Sequence, residues 1–123
     1  MATKTILVVE DNELNMKLVR SLLEIGKYRA LEAEDAERGI QLAREKHPDL
    51  ILMDIQLPGM DGLTATRILK ADTAVKDISI VALTSHAMDG DDKKALDAGC
   101  DGYVTKPIDT KNFLDTIGQF LNR

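Results

Sequence analysis

Three carboxylates stand directly after two strongly apolar runs of this sequence. Residues 50–53 are continuously hydrophobic and lead into Asp54, while residues 5–9 lead into Glu10 and Asp11. Carboxylate oxygens are the ligands that hard divalent cations such as Mg²⁺ accept, and a carboxylate can also act as a nucleophile. An acid beside turn residues is often only a cap or a loop residue, so Asp54 alone does not establish a site.

Two more apolar runs end in groups that can bind an anion. Residues 78–83 end in the hydroxyl residue Thr84, and residues 102–105 end in the ammonium residue Lys106. Both groups suit the oxygens of an incoming phosphoryl group. A hydroxyl that bonds locally and a solvated surface lysine are the plainer alternatives.

The spacing of apolar residues predicts how the chain positions these groups. Short, continuous apolar runs are typical of strands buried on both faces, and the segments between them have apolar residues at helical spacing. The pattern predicts five strands alternating with five helices. Strands joined by helical crossovers run parallel, with helices on both faces. We therefore expect an α/β fold, a doubly wound five-stranded parallel sheet in a three-layer sandwich.

Local signals give the predicted boundaries. The strands are expected at residues 5–9, 28–31, 50–53, 78–83 and 102–105. Asn12, Asp35 and Asp109 are the predicted caps of the first, second and fifth helices. The third helix is expected at about residues 62–71, and the fourth is expected to start at residues 87–88. The first helix has an apolar stripe formed by Leu14, Leu18 and Leu22, with Val19 and Leu23 beside them.

Parallel strands finish at the same edge of a sheet, so the three acids, Thr84 and Lys106 are expected to converge there. The acids would repel one another, and a divalent cation such as Mg²⁺ would offset their charge. Asp54 is the candidate nucleophile, because it alone is flanked by cation ligands and by phosphoryl-binding donors. Its attack on phosphorus would form an acyl phosphate.

Length and composition exclude several other classes. The 123 residues fit one domain, and a net charge of −5 without a basic run argues against binding to nucleic acid. The apolar runs are too short to cross a membrane, and no signal peptide precedes the first strand, so a cytoplasmic location is expected. The single cysteine, Cys100, is expected to be a packing thiol.

Four motifs carry a resemblance to a known family. They are V-E-D-N at residues 9–12, L-M-D and P-G-M-D-G between residues 52 and 62, A-L-T-S at 82–85, and G-Y-V-T-K-P at 102–107. With these motifs in this order, the chain resembles the response-regulator receiver domains of two-component signalling over its whole length. The resemblance implies the flavodoxin-like (CheY-like) sandwich and a single receiver domain at residues 1–123 without an output domain.

The resemblance also implies a metal site and a phosphoacceptor. Asp54 would accept the phosphoryl group. Glu10, Asp11, Asp54 and the backbone carbonyl of Gln56 would hold Mg²⁺, with Mn²⁺ as an alternative. Gln56 and His86 match the two variable positions that tune the loss of phosphate, although a histidine without a role is the plainer interpretation of His86.

A switch follows from the same resemblance. Lys106 would pair with the phosphoryl group, and the peptide bond between Lys106 and Pro107 would be cis. Thr84 would hydrogen-bond to the phosphoryl group, and Tyr103 would rotate from an exposed toward a buried position. A static, partly buried tyrosine is the alternative for Tyr103.

The implied function is a phosphorylation-dependent signalling switch. A histidine kinase or a histidine phosphotransfer protein would dock on the first helix and nearby loops. An unidentified target would bind the face of the fourth helix, fifth strand and last helix, with no role for nucleic acid or membrane. The chain would not be an enzyme beyond Mg²⁺-dependent self-phosphorylation and slow self-dephosphorylation. A relay intermediate that passes the phosphate onward is the alternative within the family.

Two classes outside this family share parts of the pattern. A flavodoxin-like FMN binder has the same architecture, but Glu10 and Asp11 would repel the phosphate that its first loop must receive. A haloacid-dehalogenase-type phosphatase also uses a strand-end aspartate, but it expects a second acid two residues later, where this chain has Gln56.

Overall fold

The computed structural model describes residues 3–84 and 91–121, except for the side chains of residues 91 and 92. Its strands are β1 (Thr5–Val9), β2 (Arg29–Ala33), β3 (Leu50–Asp54), β4 (Ser79–Thr84) and β5 (Gly102–Thr105). Its helices are α1 (Glu13–Ile25), α2 (Ala36–Lys46), α3 (Gly62–Ala71), α4 (Asp91–Ala98) and α5 (Phe113–Leu121). The α/β prediction is therefore confirmed.

The five strands form one parallel sheet in the order β2-β1-β3-β4-β5. Side chains of each strand alternate between its two faces, so the sheet separates two hydrophobic cores. One core packs α2, α3 and α4 against residues such as Leu7 and Ile51. The other packs α1 and α5 against residues such as Val8 and Leu52. The central strands are buried on both faces, which explains their continuous apolar sequence.

The helices begin mostly where their capping residues predict. The side chains of Asn12 and Asp35 each accept a hydrogen bond from the main-chain N–H three residues later, as expected of N-caps. Asp109 differs, because its side chain accepts from the N–H of Lys111 and α5 starts only at Phe113. The expected start of α4 at residues 87–88 lies outside the described residues.

The predicted stripe on α1 divides between two faces of that helix. Leu22, Val19 and Leu23 are buried, as an amphipathic helix requires, whereas Leu14 and Leu18 lie exposed on the outer side. The spacing of leucines alone does not distinguish these two faces. Cys100 is buried, in agreement with a packing thiol. Within residues 3–84 and 91–121, no helix has the length and apolar character needed to cross a membrane.

Gly62, the first residue of α3, fits against the main chain of the strand end that carries Asp54. A β-carbon at position 62 would overlap the main-chain carbonyl oxygen of Asp54 and would lie 2.7 Å from the Cα of Ile55. The start of α3 and the end of β3 can therefore touch only because residue 62 lacks a side chain.

We expect Gly62→Ala to lower the free energy of unfolding by about 2 kcal/mol, because main-chain atoms must shift to admit the methyl group. Gly118→Ala is the matched control, because a β-carbon at this position in α5 meets nothing within 4 Å. Alanine favours a helix over glycine, so the control should be neutral or stabilising. Urea unfolding of both variants measures the difference, and equal effects would contradict the close approach at Gly62.

Candidate functional site

The carboxyl ends of β1, β3, β4 and β5 bring the candidate residues to one edge of the sheet. Asp54 ends β3 and pairs in register with Leu83, next to Thr84 at the end of β4. The main-chain N–H of Lys106 donates to the Thr84 carbonyl at 2.7 Å, which fixes Lys106 just beyond β5. Glu10 follows β1 at the same edge. The predicted convergence of these strand ends is therefore present in the structure.

The Lys106 ammonium connects the two buried acids of the cluster. Its Nζ atom donates to Glu10 Oε2 at 2.7 Å and to Asp54 Oδ2 at 3.0 Å. The exposed side-chain fractions are 0% for Glu10, 5% for Asp54 and 15% for Lys106. Water therefore reaches these charges poorly, and each carboxylate depends on the ammonium for its counter-charge.

The remaining oxygens of both acids accept hydrogen bonds from the main chain. Asp54 Oδ1 accepts from the N–H of Gln56 at 2.8 Å, and Glu10 Oε1 accepts from the N–H of Asn12 at 3.1 Å. Each carboxylate is thus held at both of its oxygens. Their orientation is therefore set before any ligand binds, which would favour a reaction at a fixed position.

Burial and charge act together on the ionisation of this cluster. Burial raises the pKa of the Glu10 carboxyl above its usual range, the hydrogen bond from Lys106 opposes that rise, and repulsion from Asp54 adds to it. Burial alone would lower the pKa of the Lys106 ammonium. Its hydrogen bonds to Glu10 and Asp54 outweigh burial, so this pKa is raised and the amine keeps its proton.

The acids meet the first requirement of a site for a hard divalent cation. Glu10, Asp11 and Asp54 each offer a carboxylate oxygen, and these three oxygens lie within 4.8 Å of one another. Asp11 is exposed, while the other two are buried, so the cluster opens to solvent on the Asp11 side. An all-oxygen set with an open side suits Mg²⁺, which keeps several of its waters.

A cavity of about 520 Å³ lies over the acids and the lysine. Gln56 and Pro107 also line it, as do Asn12 and Asn15, which were not predicted as site residues. Asn12 was predicted only as a cap, and Asn15 lies in the first turn of α1, next to the cavity. The peptide bond between Lys106 and Pro107 is cis.

The predicted switch residues Thr84 and Tyr103 differ in burial and in the cavity that they line. The Thr84 side chain is buried at the end of β4. Tyr103 is 39% exposed and lines a separate cavity of about 210 Å³ between β5 and α5. It does not line the cavity above Asp54. His86 lies outside the described residues.

Comparisons with a family model and with curated proteins both match this chain to response regulators. The family model described as response regulator receiver domain matches residues 6–118. The polar-differentiation response regulator DivK of Brucella ovis is 46% identical over 119 residues, which are 97% of this chain and 97% of that protein.

Solved structures resemble the chain over nearly its whole length. The receiver domain of sensor histidine kinase PA1611 from Pseudomonas aeruginosa, with a magnesium ion in its active site cleft, has a TM-score of 0.93 and 32% identity, covering 99% of this chain and 100% of that one. A second match is in the co-crystal structure of the Saccharomyces cerevisiae histidine phosphotransfer protein Ypd1 with the receiver domain of Ssk1. It has a TM-score of 0.86 and 28% identity, covering 96% and 88% of the two chains.

We expect Lys106→Met to lower the free energy of unfolding by about 3 kcal/mol at neutral pH in a chelator, because two buried carboxylates lose their counter-charge. Arg44→Met is the control, because Arg44 is 50% exposed in its ion pair with Asp72, and ion pairs that water reaches contribute little to stability. Urea unfolding measures both variants. A loss for Lys106→Met no greater than that of the control would contradict the role of Lys106 as the counter-ion.

Proposed function

Because the chain belongs to the response regulator receiver domain family, we propose that it is a phosphorylation-dependent signalling switch whose phosphoacceptor is Asp54. The observation that carries this assignment is the position of Asp54 at the end of β3, hydrogen-bonded to the Lys106 ammonium and grouped with Glu10 and Asp11. The family match over residues 6–118 also supports a single receiver domain in this chain.

The chemistry is a phosphoryl transfer onto a carboxylate. An Asp54 oxygen attacks the phosphorus of a phosphohistidine, the P–N bond breaks, and the imidazole leaves as the P–O bond of an acyl phosphate forms. The main-chain N–H of Gln56 and the Lys106 ammonium orient the attacking carboxylate. Lys106 then lies beside the new phosphoryl group and offsets part of its charge.

Glu10, Asp11, Asp54 and the Gln56 backbone carbonyl would hold Mg²⁺, or Mn²⁺ with the same oxygen ligands. The magnesium in the PA1611 receiver domain supports this assignment. When bound, the ion supplies positive charge to the carboxylates and to the phosphoryl oxygens. Self-phosphorylation and slow self-dephosphorylation are the only reactions proposed for the chain, with the Gln56 side chain and His86 tuning the second.

We propose that Thr84 and Tyr103 convert the new charge into a change of surface. A phosphoryl group has three strong acceptor oxygens, and the Thr84 hydroxyl is buried at the same strand edge. Movement of this hydroxyl toward the phosphate would make room for Tyr103 to turn inward from its 39% exposed position. The α4, β5 and α5 face would then present a different surface to a target protein. Quenching of Tyr103 fluorescence in a Tyr28→Phe background measures this turn.

The outer face of α1 supports the expected docking of a histidine kinase or histidine phosphotransfer protein. Leu14 is 77% exposed and Ile25 71% exposed, with Leu18 between them on the same side of the helix. Their spacing of four and seven residues forms one apolar line along about 16 Å of helix. The line begins beside the cavity above Asp54, so a partner bound there could present its histidine to the carboxylate.

We expect acetyl phosphate with Mg²⁺ to add one phosphoryl group to the protein, and Asp54→Asn to abolish this labelling because an amide is not a nucleophile for phosphorus. Intact-protein mass spectrometry measures the added mass. Asp77→Asn is the control, since Asp77 is an exposed acid outside the cluster. A chelator should prevent labelling of the unmodified protein. Labelling that survives in Asp54→Asn would contradict the assignment.

We expect Leu14→Ala to slow phosphotransfer from a phosphorylated histidine phosphotransfer protein by about tenfold, because the partner loses an apolar contact worth over 1 kcal/mol. Labelling by acetyl phosphate should not change, because Leu14 does not line the cavity. The control is Leu96→Ala, which removes another exposed leucine, one that lies on α4. Equal rates for Leu14→Ala and the unmodified protein would rule out α1 as the docking surface.

A further inference from the structure

Strand β2 lies at one edge of the sheet, and half of its main-chain groups point away from the sheet. The N–H of Arg29 donates to the carbonyl of the residue before β1 at 2.9 Å, and the Ala33 carbonyl accepts the N–H of the residue after β1 at 3.0 Å. The odd-numbered residues of β2 therefore bond to β1. Because main-chain groups alternate in direction along a strand, the N–H and C=O groups of Ala30 and Glu32 face outward. Within residues 3–84 and 91–121, no strand pairs with this edge.

Neither layer of helices closes over the edge formed by β2. On the α2 side, a cavity of about 370 Å³ is lined by Arg29 and Leu31 of β2 and by Lys46 of α2. On the α1 side, a cavity of about 410 Å³ is lined by Glu32 of β2 and Arg20 of α1. Arg29 and Glu32 are exposed, and the two residues between them are only partly buried. A further strand can therefore approach this edge from solvent.

The charges along this edge change sign from one end to the other. The positive residues Lys27 and Arg29 come before the middle of β2, and the negative residues Glu32, Glu34 and Asp35 come after it. An antiparallel strand of the same sequence would lie with its negative end beside the positive end of the first copy, and the reverse. A parallel strand would instead place like charges side by side, which is destabilising. The charge order therefore fits a second copy of this chain that runs antiparallel.

One register satisfies both the hydrogen bonds and the charges. Directly opposite residues of an antiparallel pair exchange two hydrogen bonds. With Ala30 opposite Glu32 of a second copy, the outward groups of both residues are bonded in two symmetric pairs, and Leu31 lies on the two-fold axis. A shift in one direction would need the N–H of Tyr28, which already donates to the Leu23 carbonyl at 2.9 Å. A shift in the other direction would place Glu32 opposite Glu32.

We propose that β2 is a self-association edge, at which two copies of this chain pair antiparallel and join their sheets into one. At the axis, Leu31 contacts Leu31 of the second copy on the α2 side of the sheet. Ala30 has a small side chain, so it leaves room for the opposite Glu32 to keep its ion pair with Arg20. The pairing uses no group of the Asp54 cluster and does not rest on the proposed function.

Sedimentation velocity of the full chain measures this association. The paired edge is short, so we expect a weak dimer that is nearly absent at about 10 µM and forms at least about half of the protein at about 1 mM. A chain that stays monomeric at the higher concentration would overturn the proposal. The charges on β2 would then only protect the edge from pairing, as charged residues on edge strands commonly do.

Ala30→Pro removes the outward N–H and no hydrogen bond within the fold, and an edge strand tolerates proline at such a position. We expect the dimer fraction at about 1 mM to fall at least about fivefold, because each symmetric pair loses a hydrogen bond. Ala30→Ser, which retains the N–H, is the control and should associate like the unmodified protein. Urea unfolding checks that both variants fold. An unchanged dimer in Ala30→Pro would place the contact on another surface and overturn the proposal.

Cysteine cross-linking tests the register, and it decides the question even if Ala30→Pro folds poorly. In a Cys100→Ala background, Leu31→Cys places two thiols opposite each other at the axis, at a distance that a disulfide can bridge. Arg29→Cys is the control, because position 29 lies opposite position 33 of the second copy, so its two thiols would lie about 13 Å apart along the strands.

We expect Leu31→Cys to form the cross-linked dimer at least about tenfold faster than Arg29→Cys, because only the axial thiols meet disulfide geometry. Residue 29 is the more exposed of the two, so exposure alone predicts the opposite order. Equal rates, or a faster reaction of Arg29→Cys, would overturn the antiparallel pairing of β2.

Discussion

The contact between the Lys106 ammonium and the carboxylates of Glu10 and Asp54 is the interaction on which the site depends. Transfer of a charged group from water to the protein interior costs several kcal/mol per ion. Two buried carboxylates at one sheet edge would therefore destabilise the fold without a positive charge beside them. Lys106 supplies that charge at 2.7 Å and 3.0 Å, and its amine keeps its proton because both acids raise its pKa. The same arrangement leaves Asp54, the proposed nucleophile, oriented by hydrogen bonds at both oxygens and largely desolvated.

The parallel sheet makes this arrangement predictable from the sequence. Continuous apolar runs indicated which segments are buried strands, and parallel strands end at one edge, so residues far apart in the chain were expected to meet there. The sequence did not show which acid Lys106 contacts. That depends on the side-chain positions of Glu10 and Asp54, which are set by main-chain hydrogen bonds from Asn12 and Gln56.

Other features required the three-dimensional structure for a clear physical reason. The leucines of α1 share a helical period, but some face the core and others face solvent. An apolar side chain suits both a core and a binding surface, so residue type and spacing do not tell the two faces apart. Gly62 was predicted only as the approximate start of the third helix, whereas the structure shows that it lies against the main chain of Asp54. Asp109 has the chemistry of a helix cap, yet the chain makes a further turn before α5 begins at Phe113.

The main-chain N–H of Lys106 donates to the backbone carbonyl of residue 84, which joins Lys106 to the end of β4. Every amino acid offers that carbonyl, so this hydrogen bond between Lys106 and β4 does not depend on the threonine side chain. If Thr84 reads the phosphoryl group as proposed, capture of phosphate and its readout would be separable by mutation at this one position. A chain with alanine at position 84 would then withdraw phosphate from its donor and remain silent toward its target, as a competitive sink within the pathway.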